Sequence, residues 1–138
     1  MTNTNSSCPI SATTSSAEYV INVASVEWEL IDGFAYIAIN QFGSHLDQEW
    51  SGAVNQVLSK RPKGLVLDLR FNGGGFLDGA VDIASEFIEK SLVVSIKRRN
   101  PEENEEIYVN GKARLAGLPM VVLINKGSAS ASEIVAGA

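Results

Sequence analysis

A chain of 138 residues has room for one domain, and its 45% apolar content supports a single core. A net charge of −5 argues against a nucleic-acid partner, which needs a basic face. The one basic run, Lys97-Arg98-Arg99, is followed at once by Glu102, Glu103, Glu105 and Glu106, so no membrane-surface patch is expected. The single cysteine, Cys8, has no internal disulfide partner, and the single histidine, His45, reads as a surface or capping residue beside a helix start. No metal-ligand cluster is present in the sequence and no cofactor is implied.

Residues 1–18 are rich in Ser, Thr and Asn and read as a disordered low-complexity tail, with the folded part expected over 19–138. The tail lacks the basic and apolar regions of a secretory signal, and no apolar run approaches the roughly 20 residues of a spanning helix. Val26 to Leu30 alternate apolar and acidic residues, the period of a half-buried strand. Asp32-Gly33 is a hairpin turn, and Phe34 to Asn40 is the returning strand. After a loop at Gln41–Ser44, apolar residues at Leu46, Trp50, Ala53, Val54, Val57 and Leu58 give an amphipathic helix closed by Pro62 and Gly64.

Leu65 to Leu69 are nearly all apolar, which predicts a central parallel strand covered on both faces. Asn72-Gly73-Gly74-Gly75 is a sharp glycine loop, and Leu77, Ala80, Val81, Ala84, Phe87 and Ile88 predict a second helix. Leu92 to Arg98 is a further strand, Asn100 to Glu105 an exposed polar stretch, and Asn110-Gly111 the turn of a small hairpin. Pro119 to Asn125 is a second apolar strand of the buried type, with a helix beginning near Ser130. Apolar strands alternating with helices make the fold class α/β with a mainly parallel sheet.

Two segments repeat one plan of strand, small-residue loop and helix: LVLDLRFNGGG and VVLINKGSAS. Sites in α/β sheets form at the carboxyl ends of strands, where both loops fall. One loop offers bare backbone N–H groups and the other a hydroxyl at a helix start, the two requirements of acyl transfer. The plainer reading is equally open on these residues. Ser128 or Ser130 can be a helix N-cap, with Ser130 to Glu133 forming a capping box. The glycine loop can be a tight connection or a phosphate cradle, although it has neither the Walker pattern nor the dinucleotide spacing. A Gly-x-Ser-x-Gly elbow is also absent.

The segments GLVLDLRFNGGGFLDGAVDIASEFI and GLPMVVLINKGSASASEIVAGA closely resemble the carboxyl-terminal processing peptidases, or tail-specific proteases, serine endopeptidases of the S41 type. SVEWELIDGFAYIAINQFG resembles the segment where their protease core begins, so the likeness covers roughly residues 20 to 138. The resemblance implies a ClpP/crotonase-like core with ββα units, a protein or peptide substrate engaged near its C-terminus, and a Ser-Lys mechanism. It implies Ser130 as nucleophile, with the amides of Gly75 and Ala131 as the oxyanion hole. Glu133 matches an acidic position near the nucleophile, and Asp68 and Arg70 match a strand-end pair read as holding the loop. It names no substrate-binding residue here.

In that family the base is a lysine on a Gly-Lys-Gly type segment beyond the serine, and this sequence runs only eight residues past Ser130. Lys126, Lys112 and His45 are poor substitutes by position. The chain is therefore expected to be a partial protease core, without the PDZ domain and the lysine-bearing part, and inactive alone. The family is usually periplasmic or exported, whereas this sequence carries no address. The rival reading is a non-catalytic peptide-binding or assembly module on the same scaffold, associating with a second copy through an exposed sheet edge. A crotonase-type acyl-CoA enzyme shares the oxyanion logic but leaves the serine run unexplained.

Overall fold

The computed structural model describes residues 23–138; the tail at 1–18, with Cys8, lies outside the described residues. Strands β1 (Val26–Ile31) and β2 (Phe34–Ile39) form an antiparallel hairpin in the register Val26↔Ile39 to Ile31↔Phe34. Asp32 and Gly33 take φ of 51° and 85°, the two left-handed residues that a tight hairpin turn of matching twist requires. Helix α1 (Leu46–Ser59) carries the chain back to β3 (Leu65–Asp68), which pairs in parallel with β2. Helix α2 (Leu77–Ala84) follows, then an excursion over residues 85–119, then β6 (Met120–Leu123) in parallel beside β3, and α3 (Ala131–Gly137). The sheet order is β1-β2-β3-β6, a mixed α/β architecture with a mainly parallel sheet.

Alternation decides which face of the sheet is covered. Ala35, Ile37 and Ile39 of β2, with Leu65, Leu67 and Leu69 at β3, are all at most 2% exposed and share one face. Against that face lies the apolar stripe of α1, formed by Leu46, Trp50, Ala53, Val54 and Val57. Phe87 meets Trp50 edge-on, with ring centroids 6.1 Å apart. On the other face Tyr36 and Val66 are only half-buried, so β3 is central but not covered equally on both faces as its composition predicts.

Three further expectations change. β6 is half-exposed, not buried, because it forms the edge of the described sheet; Val121 and Ile124 remain 57% and 58% exposed. The small hairpin does not turn at Asn110-Gly111. It consists of β4 (Leu92–Ile96) and β5 (Glu105–Tyr108), a separate antiparallel pair turning through a short 3-10 helix at Pro101–Glu103. Asn100 sets that turn by accepting from the Glu102 N–H at 3.3 Å. Finally, α2 ends at Ala84, short of Phe87 and Ile88. Ser85 Oγ donates to the Val81 carbonyl at 2.6 Å and accepts from Asn110 N at 2.9 Å, and the Ser85 carbonyl accepts from Ala113 N at 2.6 Å. The excursion thus docks where the helix would otherwise continue. Glu86, fully buried, is held there by two bonds from Arg114.

Candidate active site

Because β3 and β6 are parallel neighbours, their carboxyl ends release two loops side by side. The pairing runs one residue past the strands, with Leu69 N donating to the Leu123 carbonyl at 2.9 Å. Side chains of the β6–α3 turn then take over. Ser128 Oγ donates to the Leu69 carbonyl at 2.7 Å and accepts from Asn125 N at 3.0 Å. Asn125 Oδ1 accepts from both Phe71 N and Gly127 N at 2.9 Å, so one amide oxygen spans the two loops.

Asn72 fastens the glycine loop from beneath. Fully buried, it donates from Nδ2 to the Ile39 carbonyl at 2.6 Å, and its Oδ1 accepts from Gly74 N at 2.8 Å. The Asn72 carbonyl accepts from Ala129 N at 3.1 Å and from Ser132 Oγ at 2.9 Å. One residue therefore joins β2, the glycine loop, the serine turn and α3. Buried polar groups that find all their partners fix geometry, since each partner left unpaired carries a desolvation cost.

The glycines permit the close approach. At Gly74 (φ 99°) an added Cβ would lie 2.8 Å from Ser130 Cβ and 3.0 Å from Ala131 N. At Gly75 (φ 144°) it would lie 2.2 Å from the Phe42 carbonyl oxygen. Phe42 N donates to the Gly74 carbonyl at 3.1 Å and Phe76 N to the Phe42 carbonyl at 2.9 Å, an isolated parallel bridge flanking Gly75. Among the described residues, neither the Gly75 nor the Ala131 amide donates to another protein group.

Ser130 sits at the apex in an unusual conformation, with φ 53° and ψ −116°. An ordinary N-cap residue lies in the β region, so helix capping alone does not require this backbone. A non-glycine residue there is strained and persists only where its surroundings enforce it. The enforcing contacts are on both sides. Glu133 Oε2 accepts from Ser130 N at 2.9 Å in the expected capping box, and Gly74 presses on the turn from the other loop. The three alternating serines are thus distinct: Ser128 is tied to Leu69, Ser132 is fully buried on Asn72, and Ser130 alone is exposed.

The strand-end pair behaves as a brace. Arg70 Nη2 reaches Asp68 Oδ2 at 2.6 Å, Arg70 Nε and N both reach Asp68 Oδ1 at 3.0 and 2.9 Å, and the Tyr36 hydroxyl donates to Oδ2 at 2.7 Å. The guanidinium foremost, with the Tyr36 hydroxyl also donating, lowers the Asp68 pKa to about 2, and the same carboxylate raises that of Tyr36. Of the other basic groups, Lys112 lies 3.6 Å from Asp47 and 3.5 Å from Asp82, and His45 is the N-cap of α1. No lysine or histidine among the described residues bonds to Ser130.

The family model for peptidase family S41 matches residues 33–138. The chain belongs to peptidase family S41. It is 39% identical over 127 residues to the carboxy-terminal-processing protease of Bartonella bacilliformis, across 86% of this chain and 28% of that one. With the carboxy-terminal processing protease CtpB of Bacillus subtilis it shares 36% identity over 104 residues, 75% of this chain and 21% of that one. The solved photosystem II D1 C-terminal processing protease is similar with a TM-score of 0.75 at 26% identity, covering 85% of this chain and 34% of that chain. The S41 chain thus spans about a quarter of the length of the curated relatives it matches.

The structure brings Ser130 and Ala131 of this S41 chain against Gly74, with Gly75 next to it packed on Phe42. It keeps Asp68 and Arg70 at the adjoining strand end. Sequence reading overlooked the central role of Asn72 and the bridge from Phe42. Asn72 had a signal, a side-chain amide directly before three glycines, but its partners are distant in sequence and only the fold assembles them.

Proposed function

We propose that this S41 chain carries the nucleophile and oxyanion loop of a serine endopeptidase that cuts protein or peptide substrates in their C-terminal region. The observation that carries the reading is the strained, exposed Ser130 pressed against Gly74, because capping needs no such strain. In this reading Ser130 Oγ attacks the scissile carbonyl carbon. The Gly75 and Ala131 amides, which have no other protein acceptor, donate to the oxygen that becomes negative. The start of α3 adds partial positive charge at the same point. The leaving amine departs with a proton, and water then cleaves the acyl-serine ester.

The general base in this reading is a lysine outside the described residues, since none within them reaches Ser130. The 138-residue chain is then a poor catalyst on its own. The scaffold we assign is ClpP/crotonase-like, its ββα plan supported by the succession β1-β2-α1 before β3. A second reading, an assembly module, is favoured by the edge position of β6, where Val121, and Ile124 just beyond the strand, are exposed beside a free strand edge in the described sheet.

The test pairs hydrolysis of an unstructured protein substrate with fluorophosphonate labelling on the 138-residue chain. The expected result is little or no turnover, with slow labelling that disappears in Ser130→Ala. Turnover that survives chemical blocking of the lysines, yet is lost in Ser130→Ala, contradicts the lysine assignment. Labelling that persists unchanged in Ser130→Ala contradicts the nucleophile.

A further inference from the structure

Two phenylalanines bracket the glycine loop and stand in solvent. Phe71 is 80% exposed and Phe76 is 62% exposed, the largest such values among the exposed large apolar side chains of the described residues. Phe71 precedes Asn72 and Phe76 follows Gly75, so the two residues flank the loop whose Gly74 faces Ser130. Isolated exposed apolar residues are common and mean little. These two differ in how they are held.

Phe71 has a φ of 60°, a conformation that is a true outlier for a bulky residue. It is not a slack loop. Phe71 N donates to Asn125 Oδ1 at 2.9 Å, the oxygen that also receives Gly127 N. A Cβ added to Gly127 would lie 3.0 Å from Phe71 Cα and 3.5 Å from its ring, so the phenyl stands against the turn that leads to Ser130. Phe76 N is tied to the Phe42 carbonyl at 2.9 Å. The fold thus pays strain to keep an apolar ring exposed at the site, where Asn would adopt the same backbone at less cost.

We infer that Phe71 and Phe76 form an apolar lip that receives the side chains flanking the scissile bond of the substrate. This rests on the proposed role of Ser130. A carbonyl held between the Gly75 and Ala131 amides places the substrate's neighbouring side chains over the loop margins, where the two rings are. The lip selects aliphatic and aromatic side chains by burying them against the phenyl faces and rejects acidic ones, which would lose hydration there without a partner.

Diphenyl phosphonate esters of acetyl-Ala-Ala-Leu and acetyl-Ala-Ala-Asp analogues test this on the full 138-residue chain. Serine attack forms an O–P bond, releases one phenoxide, and passes the hydroxyl proton to solvent. The adduct is located by peptide mass spectrometry, and the ratio of the two labelling rates is read. The expected Leu-to-Asp ratio is about tenfold or more. It should fall towards unity in Phe71→Asn with Phe76→Ser. Phe71→Asn relieves strain, so its thermal midpoint should be no lower than that of the unaltered chain, which separates lost selectivity from lost folding. A ratio near unity in the unaltered chain, or an undiminished ratio in the double variant, overturns the lip while leaving Ser130 as nucleophile. Labelling is slow without the base, and absence of any adduct at Ser130 after prolonged incubation with excess ester overturns both.

Discussion

The two strand-to-helix connections share a plan but are held in opposite ways. The β3–α2 connection achieves its shape through missing side chains: Gly74 and Gly75 leave room that even a methyl group would fill. The β6–α3 connection achieves its shape through side chains that are present: Asn125 and Ser128 replace strand pairing with hydroxyl and amide bonds, and Ser132 fastens the helix to Asn72. The first is a permissive surface and the second is a clamp. Strain at Ser130 needs both, since a clamp without a facing wall would let the turn relax.

The comparison predicts a graded series of losses. Gly75→Ala strikes the permissive side hardest, because the new methyl meets the Phe42 carbonyl at 2.2 Å in a backbone that disfavours side chains. The expected cost is at least about 3 kcal/mol, measured by urea unfolding. Asn72→Ala leaves the Ile39 carbonyl and the Gly74 N–H without their partner, for about 2–3 kcal/mol. A cost below about 1 kcal/mol would mean that the two loops are not fastened through Asn72.

Ser130→Gly should act with the opposite sign. Removing the side chain from a φ of 53° is expected to stabilise the chain by about 1 kcal/mol, so that the proposed nucleophile is a net liability to the fold. Destabilisation by the same amount would identify Ser130 as a structural cap. The smallest effect comes from the brace. The Arg70 guanidinium holds the Asp68 carboxyl down to about 2 in the folded chain, below the ordinary value of about 4, so its contribution is present above about pH 4 and is lost as pH falls through the folded value. Asp68→Asn should flatten the acid limb of a stability–pH curve, and an unchanged limb would remove Asp68 from the account.

Much of this site was legible in the sequence because its parts are local. Apolar runs announced β3 and β6, glycines announced a close approach, and the serine run announced a helix start. What was not legible depends on partners far along the chain. Asn72 acts on Ile39 and Ser132, separated by 33 and 60 positions, and no local pattern encodes that. The exposure of β6 depends on its place in the sheet, which its own apolar composition cannot report. The β4–β5 hairpin was misplaced because Asn110-Gly111 is a strong turn signal, whereas Asn100 sets the turn that is used. Likewise α2 ran two residues of apolar pattern past its end, since docking of the Asn110–Ala113 segment on Ser85 overrides periodicity.

The most direct test of the central claim, that the two loops present Ser130 alone for attack beside preformed N–H donors, is prolonged exposure of the native chain to excess diisopropyl fluorophosphate, followed by mapping of the adduct. Oxyanion donors retain part of their effect when the base is lacking, so labelling should be slow but confined to Ser130, and lost when urea unfolds the chain. Equal labelling of Ser128 or Ser132, or labelling of Ser130 that persists in the unfolded chain, would contradict the claim.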